Sequence, residues 1–300
     1  MIRGIRALAL AAALTLLPVT VLPAAPASAA TARYCTSKTH PKLAKRLSAD
    51  LRTALRGRSS TTSFALYDRR RGLWCFLAST RRYDSASTVK VAVVATLLKL
   101  AHKRGLTARE KSLARAAITR SDNNATSKLW SQVGRARVQR LFDQLGMRST
   151  RASPSAHWGL TQITAYDQLK LLRMLTSHGA ILNDASRSYL LGLMHDVTPG
   201  QRWGTPAGAP RGVSVHVKNG WVPRRTHRWR VHSLGTFDGR GRDYMFAVLT
   251  HDDPSMSYGV ASIERIARAV HRSLNPQVDA RLSDEPTTEV EETTDGSAPW

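Results

Sequence analysis

Leucines recur at every fourth position from Leu43 through Leu47 and Leu51 to Leu55, which marks one apolar face of a helix over 41–56. Two β-rich runs follow, 61–68 and 73–77. Arg71-Gly72 between them makes the pair a hairpin. From Val89 to Leu100 the chain is apolar almost without interruption, too long for most strands and apolar all round, so a buried helix is expected there, stopped by Gly105. Thr107 and Glu110 carry the spacing of a capping box and open the next helix. Helical patterns continue over 124–132, 135–145, 164–177 and 184–195, and a Gly- and Pro-rich loop covers 199–212. The period then returns to two. Val213, Val215 and Val217 alternate, Trp229, Val231 and Ser233 form a second strand, and 244–249 a third. Asp238-Gly239-Arg240-Gly241 is a hairpin turn signal between the last two. An amphipathic helix over 258–273 closes the body. Strands thus come from both ends and helices from the middle. That order predicts an α/β fold of the α+β kind: one antiparallel sheet with flanking terminal helices and an inserted helical lobe.

The ends have a different character. Arg3 and Arg6 precede an apolar run from Ala7 to Leu22, and Ala27-Ser28-Ala29 offers a small-residue cleavage pattern. Residues 1–29 are therefore expected to be a signal peptide and the protein to be secreted, with cell-wall association as a further option. The competing reading is an uncleaved anchor, which the prolines and the shortness of the run oppose. Residues 275–300 are acidic, without apolar periodicity, and are expected to be a disordered tail. The catalytic body is then 30–274, with a sheet lobe from 30–80 and 206–274 and a helical lobe from 81–205. An oxidising compartment permits a disulfide between Cys35 and Cys75, the chain's two cysteines. Two unpaired buried thiols are the alternative.

At 300 residues and 42% hydrophobic content the chain is long enough for a sizeable core, which excludes wholesale disorder. The formal net charge is +24, and without the +2 of residues 1–29 and the −6 of 275–300 the body carries +28. No recognition motif accompanies the charge, so no nucleic-acid partner is expected. Outside a cell the available polyanions are wall polymers and anionic lipid surfaces. The ten histidines show no metal-ligand spacing, and neither a metal nor another cofactor is expected. His216 and His232 lie near the motifs below and are read as structural. A monomer is expected.

Three short motifs carry chemistry. Ser87-Thr88-Val89-Lys90 heads the buried helix, where positions i and i+3 share a face. A lysine entering so apolar a helix is desolvated, which favours the neutral amine, a general base beside the Ser87 hydroxyl. The helix start would direct backbone N–H groups at a developing oxyanion. Ser121-Asp122-Asn123 lies between two helices, with a hydroxyl able to relay a proton and an amide, that of Asn123, able to hold a substrate amide. Lys218-Asn219-Gly220 ends the first strand of the second sheet segment. Lys218 supplies charge for an anionic group, Gly220 admits a ligand to the strand backbone, and the N–H of Trp221 is the second oxyanion donor. Each motif alone has an ordinary structural explanation as a cap or turn. Their order is far more specific.

S-x-x-K, S-D-N and K-T-G in this order are the signature of class A β-lactamases and penicillin-binding proteins. Over residues 41–273 the chain resembles that superfamily, and most of all the class A β-lactamase-like serine hydrolases. The resemblance implies a five-stranded antiparallel sheet with flanking helices and an all-helical domain. It also implies roles. Ser87 is the nucleophile and Lys90 its base. Ser121 passes a proton to the leaving nitrogen, Asn123 positions substrate, and Lys218 binds the substrate carboxylate. The backbone N–H groups of Ser87 and Trp221 form the oxyanion hole. Two departures stand out. Asn219 replaces threonine, with an amide that can still donate to a carboxylate. The segment 149–160, STRASPSAHWGL, lacks the glutamate that class A enzymes use for deacylation. The substitutes on offer are His157, read as a loop side chain, and Asp167, read as lying on the outside of a helix. The expectation is an enzyme that is acylated by β-lactam-like or acyl-D-Ala-like amides and deacylates slowly. The alternatives are a D-alanyl-D-alanine peptidase acting on peptidoglycan stem peptides and a non-catalytic wall- or β-lactam-binding protein.

Overall fold

The computed structural model describes Met1 and residues 33–277. The expected leader, apart from Met1, and the tail from 278 onward lie outside the described residues. Eight strands and eight α-helices follow in chain order among the described residues. They are β1 (Cys35–Thr36), α1 (Pro41–Leu55), β2 (Thr61–Asp68), β3 (Leu73–Leu77), β4 (Tyr83–Asp84), α2 (Lys90–Leu100), α3 (Ala108–Thr119), α4 (Asn123–Val133), α5 (Arg135–Gln144), β5 (Gln162–Ile163), α6 (Ala165–Thr176), α7 (Asp184–His195), β6 (Ser214–Pro223), β7 (Trp229–Gly239), β8 (Arg242–Asp253) and α8 (Met256–Leu274).

The main sheet runs β1-β3-β2-β8-β7-β6, all antiparallel. The N-terminal strands occupy one side and the C-terminal strands the other, joined where β2 meets β8. The sheet has six strands rather than the five expected. The extra one, β1, is two residues long, too short for any periodicity to announce it. It pairs Cys35 directly with Cys75 of β3, and the two are disulfide-bonded. A separate ladder joins β4 to β5.

Strand alternation sorts the core into two layers. On β2, Phe64 and Leu66 face α1 and α8, while Ala65 between them faces the helical lobe. On β8, Phe246 and Val248 belong to the first layer and Ala247 and Leu249 to the second. The continuous apolar run of α2 is explained by its place at the centre of the helical layer, where Lys90 through Leu98 are all buried. The capping box of α3 forms as expected, with Glu110 N–H donating to Thr107 Oγ1 and Thr107 N–H to Glu110 Oε2. The β7–β8 turn closes through Arg240 (φ 48°) and Gly241 (φ 77°), the paired left-handed residues of a two-residue hairpin loop. No helix among the described residues is long and apolar enough to cross a membrane.

Candidate active site

Ser87 lies in a 3-10 turn, Ala86–Val89, that leads into α2, so it precedes the α-helix rather than starting it. The misreading has a simple origin. In both geometries residues i and i+3 lie on one side, and in the 3-10 form they eclipse. Lys90 N–H donates to the carbonyls of Ser87 and Thr88, which ties the two motif ends together. Ser87 and Lys90 are both fully buried. Ala86, just before the serine, has φ 44°, and Ser121 has φ 57°. Left-handed backbone at a residue other than glycine costs roughly 1–3 kcal/mol. In this molecule it occurs at two of the three motif segments.

At Ser121 the unusual backbone has a visible use. Between the end of α3 and the Asp122 cap of α4, it turns the Ser121 carbonyl toward Lys90 Nζ, which donates to it at 2.5 Å. The same amine lies 3.1 Å from Ser121 Oγ and 2.8 Å from Asn123 Oδ1. Lys218 Nζ reaches Ser121 Oγ from the other side at 2.9 Å and also donates to the Asn219 carbonyl. Two buried amines, one from each lobe, therefore converge on one hydroxyl. With Oδ1 accepting from Lys90, the Asn123 amide is oriented so that its NH2 is the end left to donate elsewhere.

The strand motif differs from its sequence reading at two positions. Along β6, Lys218 and Gly220 face the helical lobe, and residues 219 and 221 face the opposite layer. Asn219 is buried there, and its Nδ2 donates to the carbonyls of Gln201 and Trp203. Both of its N–H bonds hold the loop before β6, so the Asn219 amide is not available to a substrate carboxylate. Gly220 admits protein rather than ligand. A Cβ at that position would stand 2.8 Å from the Ser87 and Thr88 nitrogens and 3.1 Å from the Ser85 carbonyl. The missing side chain lets β6 press against the serine turn, bringing the Ser87 and Trp221 backbone segments side by side. The Trp221 ring packs edge-on against Trp203, with centroids 5.7 Å apart.

The other wall is set by the β4–β5 ladder, which pairs Tyr83 with Ile163 and Asp84 with Gln162. One strand of it leads into the serine turn and the other follows a second 3-10 turn, Trp158–Leu160. Ser85 N–H donates to Thr161 O at 2.8 Å, clamping the two turns together. Trp158 is thereby laid over the site. Its ring centroid is 4.7 Å from Lys90 Nζ, and its Nε1–H donates to Ser127 Oγ on α4. Sequence reading passed over Trp158 while searching the same segment for a carboxylate. The two substitute groups weighed there are engaged or turned outward. His157 is exposed. Asp167 is buried, not on an outer face, and accepts from Ser149 N–H, the Thr150 hydroxyl and Lys170.

His232, paired with Gly220 across β6 and β7, supports the serine turn from beneath. Its Nε2–H donates to the Asp84 carbonyl at 2.8 Å and its Nδ1 accepts from Thr250 N–H. Complete burial lowers its pKa to about 4, so it is a neutral strut. Asp84 itself faces Arg230 and Arg224, at 3.2 and 3.6 Å. Away from this site, strand pairing gathers His227, His251 and Asp252, whose ligand-type atoms all lie within 4.8 Å of one another. No ligand spacing marks them in the chain, because 23 residues of β-hairpin lie between His227 and His251 and only the register brings them together.

A family model described as the β-lactamase enzyme family matches residues 99–274. No protein of curated function matches the sequence. Among solved structures, the TLA-3 extended-spectrum β-lactamase superposes with a TM-score of 0.70 at 16% identity, covering 77% of this chain and 98% of its own. A class A β-lactamase from Bacteroides cellulosilyticus DSM 14838 gives 0.68 at 16% identity, over 77% and 98%. PBP-A gives 0.65 at 19% identity, over 77% and 96%.

Proposed function

Since the chain belongs to the β-lactamase enzyme family and is a serine hydrolase of that type, we propose that Ser87 is its nucleophile and that its acyl-enzyme is long-lived. In this reading Ser87 Oγ attacks the carbonyl of a β-lactam or an acyl-D-Ala-like amide and gives its proton to Lys90 Nζ. The backbone N–H groups of Ser87 and Trp221 hold the oxyanion. The proton passes from Lys90 through Ser121 Oγ to the leaving nitrogen, the C–N bond breaks, and an ester to Ser87 remains. Asn123 positions the substrate amide, and Lys218 attracts its carboxylate. The observation that carries this reading is the convergence of both lysines on Ser121 Oγ, at 3.1 and 2.9 Å, one of them being Lys90, a turn beyond Ser87 in the chain.

Hydrolysis of the ester needs a second base to activate water. In the segment 149–160 there is no carboxylate, and Trp158 covers the Lys90 amine. Losing a positioned base costs about 10²–10⁴ in rate. The same feature favours a second reading, a peptidase acting on D-alanyl-D-alanine ends of wall peptides. A variant of PBP-A, which shares the fold, has been solved as an acyl-enzyme complex with penicillin G. Export to an oxidising compartment is part of the proposal, supported by the Cys35–Cys75 bond and the character of residues 1–29. The basic body suits retention near anionic wall polymers.

Intact-mass measurement after mixing with a penicillin tests the reading. We expect a stoichiometric adduct that outlasts many minutes and is absent from Ser87→Ala. Rapid turnover of several penicillins and cephalosporins would overturn slow deacylation, and an adduct retained in Ser87→Ala would overturn the nucleophile. Release of D-Ala from a peptide ending in D-Ala-D-Ala would decide for the second reading. No adduct and no release would leave a binding protein.

A further inference from the structure

The cluster at the far end of β8 is built from two elements. His227 belongs to the turn between β6 and β7, and His251 and Asp252 end β8. His227 Nδ1 lies 2.9 Å from Asp252 Oδ1, and His251 Nδ1 lies 2.6 Å from Asp252 Oδ2. The two imidazole centroids are 4.4 Å apart. Three residues here, His227 (φ 60°), Arg228 (φ 48°) and Asp252 (φ 63°), have left-handed backbones, although none is glycine. The backbone is pinned in this form by Asp252 N–H donating to His227 O and Arg224 N–H donating to Arg228 O. Conformational strain concentrated on two would-be ligands is a recurrent mark of a functional corner.

We propose that His227 Nδ1, His251 Nδ1 and a carboxylate oxygen of Asp252 bind a divalent transition-metal ion of the zinc class. Two imidazoles and one carboxylate are the donor set such ions favour, while Mg²⁺ and Ca²⁺ favour all-oxygen sites. Both imidazoles already turn the same ring nitrogen toward one carboxylate. Ligation through Nδ1 takes each ring as the neutral tautomer that carries its proton on Nε2, with the Nδ1 lone pair directed at the ion. The outer contacts fit as well. Thr61 Oγ1–H donates to Asp252 Oδ2 at 2.6 Å, and the Tyr83 ring packs 4.9 Å from that of His251. Such supporting groups orient ligands and raise affinity. Arg230, the nearby cation, is turned to Asp84. With both cysteines in a disulfide, no thiol competes for the ion. A bound ion would staple the β6–β7 turn to the end of β8. That turn also carries Arg224, which faces Asp84 three residues before Ser87.

Isothermal titration of the full chain without an affinity tag, with Zn²⁺ alone and with Mg²⁺ for comparison, tests the site. One equivalent of Zn²⁺ should bind and Mg²⁺ should not. His227→Ala and Asp252→Asn should each remove the binding, and Thr61→Val should weaken it by about 10-fold. His227 is half exposed, so its truncation leaves the fold intact. His157→Ala, on an exposed loop, should bind as the parent does. Absence of Zn²⁺ binding to the parent, or undiminished binding to both His227→Ala and Asp252→Asn, overturns the proposal.

Discussion

At Gly220 a single absent side chain holds two segments of the site in register. The Ser87 and Thr88 nitrogens leave no room for a methyl group, and all three near atoms are backbone, which cannot rotate away. Gly220→Ala must push the serine turn off β6. A displacement of about 1 Å at reacting groups costs on the order of 10² in rate. We expect the penicillin acylation rate of Gly220→Ala to fall by about that factor while circular dichroism stays that of the parent; an unchanged acylation rate would mean that β6 does not position the turn. The spacing of Ser87, Lys90, Ser121 and Lys218 was legible in the sequence, since each motif is local. The reading of Asn219 as a carboxylate donor was wrong, and strand geometry gives the reason. If Lys218 faces the helical lobe, period-two geometry sends residue 219 to the other layer. Trp158 was not legible. Its position over Lys90 depends on the β4–β5 ladder, whose two strands are each two residues long and nearly 80 positions apart.

Among the elements, β1 shows how covalent chemistry can make a strand that pairing alone would not. Two residues at a sheet edge are marginal by hydrogen bonding. Cys35 nevertheless lies directly opposite Cys75, its N–H bonds to Ser48 Oγ of α1, and the disulfide closes a loop with a sequence separation of 40. Restricting that loop in the unfolded chain stabilises the fold by about 4 kcal/mol on a chain-entropy estimate. The double variant Cys35→Ala/Cys75→Ala should lose about 2–4 kcal/mol in urea unfolding. Because β1 is at the sheet edge opposite β6, its penicillin acylation rate should not change. A loss below about 0.5 kcal/mol, the scale of ordinary surface substitutions, would mean that β1 is held by its other contacts. The longer elements needed no such help to be read. Helical patterning located α1, α6, α7 and α8, an unbroken apolar run located α2, the Thr107–Glu110 pair marked the start of α3, and Asp238–Gly241 marked the β7–β8 turn. The start of α2 was displaced because a 3-10 turn and an α-helix share their i, i+3 neighbours.

Across the whole molecule, acid stability is set by histidines that the fold keeps neutral. Burial lowers both His232 and His271 to about 4 from an ordinary 6.5. Each ring is held in one tautomer, His232 between Asp84 O and Thr250 N–H, and His271 between Thr205 O and the Tyr244 hydroxyl. Between pH 6.5 and 4 the unfolded chain takes up two protons that the folded chain refuses. The stability these groups contribute is complete above 6.5 and drains away as pH falls to 4. Asp253 acts in the opposite sense. Burial raises it to about 6, against hydrogen bonds from Ser60 and Thr250, so the folded state gains a proton first and stability rises as pH falls from 6 to 3.8. These two losses against one gain leave a net loss of about 1.4 kcal/mol per pH unit near pH 5, and His251, also lowered by burial, adds to it in the same sense. Glu110, held at about 2 by Arg104 and by the Thr107 and Gln132 hydrogen bonds, adds a further loss only below 4.5. Urea midpoints at pH 7, 6, 5 and 4, at constant ionic strength to keep the self-repulsion of the basic body fixed, should therefore decline with acid. His271→Gln keeps a donor and an acceptor but cannot titrate. It should be less stable than the parent at pH 7 and lose less stability than the parent around pH 5, where His232 and Asp253 oppose each other and His251 adds a loss of its own. A parent-like acid slope in His271→Gln would show that another group governs the loss.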